Sequence, residues 1–502
     1  MTRSLELAAR ECLSEPCAAM LTPGGIEEIQ DGLKRKRFTS VDLVKAYLAR
    51  IDEGPRSLHG IPILLKDNIA TLHSEGMNTT AGSYALLGSV VAGESFVAAQ
   101  LRAAGAILLG KCTLSEWANW RGTVPSGFCG RGGHGTNPYV PLGNPSGSSS
   151  GSGIAGAVGL ATATLGSETD GSIISPSGNC NVVASSRRWG LLRAQGYVVL
   201  LWLRLIPISE HQDSVGLMCR SVADCAIVLS TIAGRDPHDS YTLNQPAQVP
   251  DYTKALKKDG LRGVRLGVPR KVLEGVDANV LIAFNKALKD LTELGATVVD
   301  PADFGDGWDY EEVQNREDVV LCGDFKVNIH SYLSKLVDVP TGVRTLADLI
   351  KFNEDNREKE LVEPYWTDQA RFVKSNGVHQ DPAFWEALEW DYRMGRQDGV
   401  DGLLKKYGVD AILIPTARAS RPAAVAGYPV ITAPDVALTE ASPTRMNGPN
   451  MPFGISFLGT AYSEFQLIQY AYAYEQATKH RLEKKAYPEA IPKTQLADVM
   501  GK

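Results

Sequence analysis

The stretch that decides the fold is "GNPSGSSSGSGIAGAVGLATATLGSETDGSI", residues 143–173. Small residues dominate it, and the first part, "GNPSGSSSGSG", contains five serines and four glycines. Three kinds of segment share this composition: a flexible linker, a loop that binds phosphate, and a loop that carries a reactive serine. The sequence on either side decides among them.

A flexible linker is the commonest interpretation of a run rich in glycine and serine. A linker separates two domains, however, and periodic segments lie close to both sides of this run. Directly after it, "SGIAGAVGLATATLG" (152–166) predicts a helix of small residues that is suited to close packing. These flanks disfavour a linker.

A dinucleotide-binding loop is the second interpretation, because Gly151, Gly153 and Gly156 match G-x-G-x-x-G and lead into the predicted helix. That motif needs a strand immediately before it. The preceding segment, "NPYVPLGNPSGSSS" (137–150), is too rich in proline and glycine for a central strand. No lysine follows the glycines as it would in a P-loop, so both nucleotide motifs are weak here.

A serine hydrolase of the nucleophile-elbow type is the third interpretation. Residues 147–151 contain G-x-S-x-G centred on Ser149, and the elbow needs a strand directly before the serine and a helix directly after it. Only the helix is predicted. The histidines that could complete such a triad carry no local motif; they are His211, His238, His330, His379 and His480.

A fourth interpretation uses two further segments. "HGIPILLKDNI" (59–69) predicts a short buried strand that ends at Lys66, and "LGSETDGSI" (165–173) is a second turn of small residues that contains Ser172. Burial lowers the pKa of a lysine, so that a neutral amine can act as a base and relay a proton between hydroxyls. A lysine that extends its amine to the surface and pairs with Asp67 is the alternative, and the residues alone leave both open.

The order of predicted elements indicates the fold class. Apolar segments that resemble buried strands alternate with helical patterns, which predicts an α/β fold with a mixed twisted sheet covered by helices on both faces. The charged region of about 310–400 is predicted as helices with solvated faces. The later predicted strands are "GVRLGVP" (263–269), "DAILIPT" (410–416) and "PVITAP" (429–434).

Composition limits the class of protein. The chain has 502 residues, 44% hydrophobic, and a net charge of −6, which argues against nucleic acid or an anionic membrane as partner. Its eight cysteines form no C-x-x-C pair, so we predict buried free thiols and no zinc site. The N-terminal sequence lacks the apolar run of a signal peptide, and no segment is long enough to span a membrane, so we expect a cytoplasmic protein.

Several segments, in this order and spacing, resemble the amidase signature family over about residues 24–480. They are "GIPILLKDN" (60–68), the stretch 143–173, "AGYPVITAP" (426–434) and "PFGISFLG" (452–459). "LSEWANWRG" (114–122) and "RGGHGTNPY" (131–139) are similar to the peptide amidase branch in particular. The resemblance implies an amidase signature fold, organised as an N-terminal extension (1–23), an amidase signature domain (24–485) with a catalytic core of about 59–235 and a variable substrate-pocket region of about 310–400, and a C-terminal tail (486–502).

The family's Ser–cis-Ser–Lys triad can be carried over residue by residue. The resemblance implies that Ser172 is the nucleophile, that Lys66 is the base, and that Ser148, joined to Gly147 by a cis peptide bond, bridges them. It also implies an oxyanion hole made by the backbone N–H groups of Thr169, Asp170, Gly171 and Ser172. No metal or organic cofactor is expected.

Two segments depart from the family's pattern. Only "GPR" joins residue 53 to residue 57, where the family carries a further stretch of chain. In the segment 184–205, "ASSRRWG" (184–190) replaces a pattern like G-L-K-P-T-x-G, and a shift of one nucleotide in a coding sequence for G-L-K-P-T-V-G would give these letters. We therefore consider a local frame or splicing change, which could impair the site.

The resemblance implies an amidase that hydrolyses a carboxamide to a carboxylate and ammonia through an acyl-serine intermediate. The C-terminal amide of peptides is the favoured substrate, and no obligate partner chain is expected. One alternative is a catalytically impaired protein of the same fold, owing to the segment 184–205 and the short 53–57 join. A further alternative is the glutaminase subunit of an amidotransferase, which works with a partner chain.

Overall fold

The computed structural model describes residues 58–186, 205–246, 248–436 and 451–494, together with 34–36 and 39. The chain divides into two compact units, residues 1–59 and 60–502, and the fold below is that of the second. The predicted N-terminal extension (1–23), the 53–57 join and residues 187–204 lie outside the described residues. The limits of the amidase signature domain stay a prediction.

The described residues contain twelve strands, and ten of them belong to one sheet. The strands are β1 (Pro62–Lys66), β2 (Ile107–Cys112), β3 (Phe128–Cys129), β4 (Gly133–His134), β5 (Ala163–Glu168), β6 (Val183–Ser186), β7 (Ser214–Cys219), β8 (Arg265–Gly267), β9 (Thr297–Val299), β10 (Ala411–Pro415), β11 (Val430–Val436) and β12 (Pro452–Leu458).

The large sheet is mixed, with the order β2-β1-β5-β7-β6-β11-β12-β10-β8-β9. β1 runs parallel to β2 and to β5, and β8 runs parallel to β9 and to β10. The central strands from β5 to β10 pair antiparallel. The strand pairing therefore changes from parallel to antiparallel at β5. The predicted mixed sheet of an α/β fold is confirmed.

Helices flank the sheet, and several of them follow a strand directly. The α-helices are α1 (Phe96–Ala103), α2 (Ser150–Val158), α3 (Ile174–Asn179), α4 (Val222–Ile232), α5 (Ser240–Leu243), α6 (Ala278–Glu293), α7 (Tyr310–Lys335), α8 (Leu346–Asp355), α9 (Arg357–Glu360), α10 (Ala370–Gly377), α11 (Pro382–Gly395), α12 (Asp401–Tyr407), α13 (Thr416–Ala426) and α14 (Glu464–Thr478).

The predicted helix over 152–166 is wrong in its second half. The helix α2 ends at Val158, and β5 begins at Ala163. Gly159 caps α2 in the left-handed conformation, with φ of 78°, and its N–H donates to the carbonyl of Ala155. Glycine adopts this conformation at little cost and is a common helix terminator, so the chain turns there and enters the sheet.

The core lies on the central strands, since every residue of β5, β7 and β10 is buried. The described cysteines are buried free thiols, as predicted from the absence of paired motifs; they are Cys112, Cys129, Cys180, Cys219, Cys225 and Cys322. Within the described ranges, no helix has both the length and the apolar character needed to cross a membrane.

Candidate active site

Lys66 is the last residue of β1, and its side chain is completely buried. Its Nζ donates to Ser148 Oγ at 2.7 Å and to the carbonyl oxygen of Ser167 at 2.9 Å. Asp67 is hydrogen-bonded to other groups than Lys66: its Oδ2 accepts hydrogen bonds from Thr80 Oγ1 at 2.5 Å and from the Gly82 N–H at 3.1 Å. The interpretation of Lys66 as a surface-reaching lysine paired with Asp67 is therefore wrong.

The surroundings of Lys66 favour its neutral form. Burial lowers the pKa of the amine to about 7, while the charges of Asp213 and Glu168 act in the opposite direction. At that pKa a large share of Lys66 is deprotonated near neutral pH, so the group can accept a proton.

Ser148 lies just before α2, is fully buried, and follows Gly147 through a cis peptide bond. Its carbonyl oxygen accepts the N–H of Ser115 at 2.9 Å, which fixes the loop against the chain that follows β2. A Cβ on Gly147 would lie 2.3 Å from Ser115 Oγ, so only glycine fits at this position.

Ser149 does not occupy an exposed elbow. It is fully buried, and its Oγ donates to the carbonyl oxygen of Ser167 at 3.1 Å. The residues before it form a turn and no strand, in contrast to the nucleophile elbow. Of the candidate histidines, His211 pairs through Nδ1 with Asp324 at 2.7 Å and His480 pairs with Glu483 at 2.9 Å. The third interpretation of the glycine-serine stretch therefore lacks its geometry.

Ser172 lies in the turn between β5 and α3, and 8% of its surface is exposed to a cavity. Its carbonyl oxygen accepts the N–H of Ser149 at 3.0 Å, which ties this turn to the start of α2. β1 and β5 are parallel neighbours, so their carboxyl ends meet at one edge of the sheet. Lys66, Ser148 and Ser172 are thereby brought to that edge, although within the described ranges no hydrogen bond joins the hydroxyls of Ser148 and Ser172.

The turn that carries Ser172 leaves backbone donors available. Among the described residues, the N–H groups of Asp170, Gly171 and Ser172 have no hydrogen-bond partner. Gly171 has φ of 79°, and a Cβ there would lie 2.9 Å from Ser175 Oγ. Such a run of unpaired N–H groups beside a serine is suited to an oxygen that gains negative charge.

The side chains of Glu168 and Gln212 form hydrogen bonds with the backbone of this turn. Glu168 Oε1 accepts the N–H groups of Ile173 at 3.0 Å and of Ile174 at 3.1 Å. Gln212 Nε2 donates to the carbonyl oxygen of Thr169 at 3.3 Å. Gln212 was not predicted, because its contact with Thr169 arises from the pairing of β5 with β7, which no local motif indicates.

The cavity at Ser172 has a volume of about 220 Å³ and a polar, charged wall. Arg421 lies between two acids of that wall, with NH2 3.5 Å from Asp170 Oδ2 and Nε 3.4 Å from Glu317 Oε2. Part of the wall comes from the region 310–400, namely Gln314, Glu317, Asp318, Leu321 and Arg371. These five residues line the cavity, and no local motif in the sequence indicates them.

One group within the described residues has the composition of a metal site. Ligand atoms of Glu210, His211 and Asp324 lie within 4.8 Å of one another. Asp324 already accepts hydrogen bonds from Ser209 Oγ at 2.5 Å and from Gln380 Nε2 at 2.9 Å. The Asp324 carboxylate is thus satisfied by protein groups, and the cluster is a hydrogen-bond network.

Comparisons with known proteins show the family of the chain. The family model described as Amidase matches residues 27–468. The native peptide amidase from Stenotrophomonas maltophilia is 34% identical in sequence and superimposes with a TM-score of 0.73 over 93% of this chain and 98% of its own. An amidase family protein from Bacillus anthracis is 29% identical, with a TM-score of 0.75, over 88% of this chain and 81% of its own.

A second group of relatives is named by a different activity. A glutamyl-tRNA(Gln) amidotransferase subunit from Geobacter metallireducens is 30% identical over 91% of this chain and 98% of its own. The family model and both groups of relatives cover most of the chain, and the fold of the chain matches that of the peptide amidase. The chain therefore belongs to the amidase family and is an enzyme that hydrolyses the carbon–nitrogen bond of amides.

Proposed function

We propose that the protein hydrolyses the C-terminal amide of peptides to a carboxylate and ammonia, with Ser172 as the nucleophile. The observation that carries this proposal is the buried contact of 2.7 Å between Lys66 Nζ and Ser148 Oγ, beside the turn that holds Ser172. The similarity to the peptide amidase supports the choice of substrate.

The first half of the reaction forms an acyl-enzyme. Neutral Lys66 accepts the proton of Ser148, and Ser148 accepts the proton of Ser172 as its oxygen attacks the amide carbon. The electrons of the carbonyl double bond move to its oxygen, which the N–H groups of Thr169, Asp170, Gly171 and Ser172 stabilise. When the carbon–nitrogen bond breaks, the nitrogen takes the proton back through Ser148 and leaves as ammonia.

The second half repeats these proton transfers with water. Water adds to the ester that joins the acyl group to Ser172, Lys66 again receives a proton through Ser148, and Ser172 regains its hydroxyl as the acid leaves. In the free enzyme the hydroxyls of Ser148 and Ser172 need not be hydrogen-bonded, since catalytic contacts often tighten only when substrate is bound. Neither half needs a metal or an organic cofactor.

The enzyme acts as a single chain in this proposal, and a cytoplasmic location stays a prediction from its sequence. The second candidate is a glutaminase subunit of an amidotransferase, which the 30% identity to the Geobacter metallireducens protein favours. The third is a protein impaired by the short 53–57 join and the segment 184–205, the latter of which is described in part. The first residues of that segment, 184–186, still belong to β6, which pairs with β7 and β11.

The test is labelling with a fluorophosphonate, followed by mass spectrometry of the tagged peptide. The serine oxygen attacks phosphorus and fluoride leaves, so no knowledge of the substrate is needed. We expect a tag on Ser172 that is lost in Lys66→Ala and Ser148→Ala, and ammonia release from an N-acyl peptide amide in preference to free glutamine. A preference for free glutamine would favour the glutaminase candidate, and an untagged folded protein the impaired one.

A further inference from the structure

Asp213 connects two parts of the site that are remote in sequence. It directly precedes β7 and is only 4% exposed. Its Oδ1 accepts the hydroxyl of Thr169 at 2.6 Å, and its Oδ2 accepts the N–H of Ile208 at 2.7 Å. Its own N–H donates to the carbonyl oxygen of Ser209 at 2.8 Å. The carboxylate thus joins the loop 208–213 to the turn that leads to Ser172.

The same carboxylate is connected to Lys66 through the end of β5, because Lys66 donates to the Ser167 carbonyl oxygen and Thr169, two residues on, donates to Asp213. Asp213 and Glu168 are the two acids whose charges act on the amine of Lys66, and both belong to the paired ends of β5 and β7, where Glu168 opposes Ser214. The amine itself donates to two neutral groups, Ser148 Oγ and the Ser167 carbonyl oxygen. Among the described residues, these two acids are the charged groups that raise the pKa of Lys66.

Glu168 and Asp213 bind different parts of the turn that carries Ser172. Glu168 uses one oxygen to accept two backbone N–H groups after Ser172, at Ile173 and Ile174. Asp213 binds the side chain of Thr169, on the other side of Ser172. One acid consequently fixes each end of the turn. The proposed oxyanion donors begin at the end that Asp213 binds.

We propose that Asp213 is a positioning residue with two separable effects: it fixes Thr169 through the hydroxyl, and it keeps a negative charge beside Lys66. This inference rests on the proposed function, because it assigns Asp213 a role in how Ser172 is activated. Fixing Thr169 orients the adjoining N–H groups, and the charge raises the pH above which the buried Lys66 is neutral.

Two substitutions separate the effects. Asp213→Asn removes the charge, and Thr169→Val removes the hydroxyl while it leaves the charge and the backbone N–H in place. The readout is the rate of fluorophosphonate labelling of Ser172 as a function of pH, which does not depend on the substrate. If Asp213 served the structure alone, Asp213→Asn would alter the labelling rate without moving the midpoint of the pH profile.

We expect the wild-type rate to rise with pH as Lys66 loses its proton. In Asp213→Asn the midpoint should move to lower pH by about one unit, because a charge that favoured protonated Lys66 is gone. Thr169→Val should lower the rate roughly tenfold at every pH without moving the midpoint. Thr169→Ser should recover most of the lost rate, since it restores the hydroxyl.

An unmoved midpoint in a folded Asp213→Asn protein overturns the inference and leaves the proposed function intact. A wild-type rate in Thr169→Val also overturns it, and this comparison remains decisive should Asp213→Asn fail to fold. Absence of any tag on wild-type Ser172 overturns the proposed function, and the inference with it.

Discussion

The amine of Lys66 and the hydroxyl of Ser148 are hydrogen-bonded at 2.7 Å inside the protein, and neither side chain is exposed to solvent. A contact of this kind transfers a proton only when the amine is neutral. Burial lowers the pKa of Lys66 to about 7, so in the proposed mechanism this contact sets the pH at which the enzyme works.

We expect the rate of amide hydrolysis to rise with pH around a midpoint near 7, the pKa of Lys66. Lys66→Ala should lose about a thousandfold or more in kcat, since a positioned base contributes on that order. Lys66→Arg is the matched control, because it retains a cation that cannot lose its proton, and it should be equally inactive. Appreciable activity in Lys66→Arg contradicts the role of a neutral base.

The same burial predicts how stability changes with pH. Below pH 7 Lys66 is protonated in both the folded and unfolded states, and the full cost of burying its charge remains. Above pH 7 the folded state holds it neutral while the unfolded state keeps its proton up to about 10.5, so stability rises with pH. Denaturant unfolding should show the free energy of unfolding rising by roughly 2 kcal/mol more in wild type than in Lys66→Met between pH 7 and 9. An equal change of the free energy of unfolding with pH in the two proteins would contradict the lowered pKa of Lys66.

Gly147→Ala tests the space around the serine loop. A Cβ at this position would lie 2.3 Å from Ser115 Oγ, so the loop has to shift and Ser148 moves with it. We expect labelling of Ser172 to fall about a hundredfold, as displacements near an ångström can cause. Gly377→Ala, at the end of α10 with nothing within 4 Å of the added atom, is the control and should label normally.

Ser149→Ala separates the two hydrolase geometries. Ser149 donates one buried hydrogen bond, to the Ser167 carbonyl oxygen, so its loss should lower the free energy of unfolding by about 1 kcal/mol and leave labelling in place. Ser172→Ala should abolish labelling with little effect on stability. The reverse pattern, measured on the same preparations, would favour the nucleophile elbow instead.

Arg421 is expected to matter for both stability and substrate binding. Arg421→Ala leaves Asp170 and Glu317 without their shared cation, which should lower the free energy of unfolding by roughly 2 kcal/mol and change KM. Arg393→Ala is the control, since its ion pair with Asp398 is exposed at both ends and should be worth less than about 0.5 kcal/mol. Equal effects of the two substitutions would contradict a role for Arg421 in the cavity wall.

The sequence predicted the elements whose signals are local. An apolar run that ends at a lysine indicated β1 but left the burial of Lys66 open, and the resemblance indicated which serines to compare with it. The helix over 152–166 was overextended because Gly159, one small residue among many, acts as a left-handed cap. Asp213, Glu317 and Arg421 could not be predicted, because strand pairing and the packing of α7 and α13 bring them to the site from distant positions.

The placement of β1, β5 and β7 side by side has a practical consequence. Lys66 closes β1, Glu168 closes β5 and Asp213 precedes β7, so in the proposed mechanism a reactive Ser172 requires that all three strands are assembled. A fragment that lacks any of them should be inert toward the phosphonate, whatever secondary structure it retains. The tagged fraction of a preparation therefore counts its natively folded molecules, and can be used to normalise every rate and every yield measured on this protein.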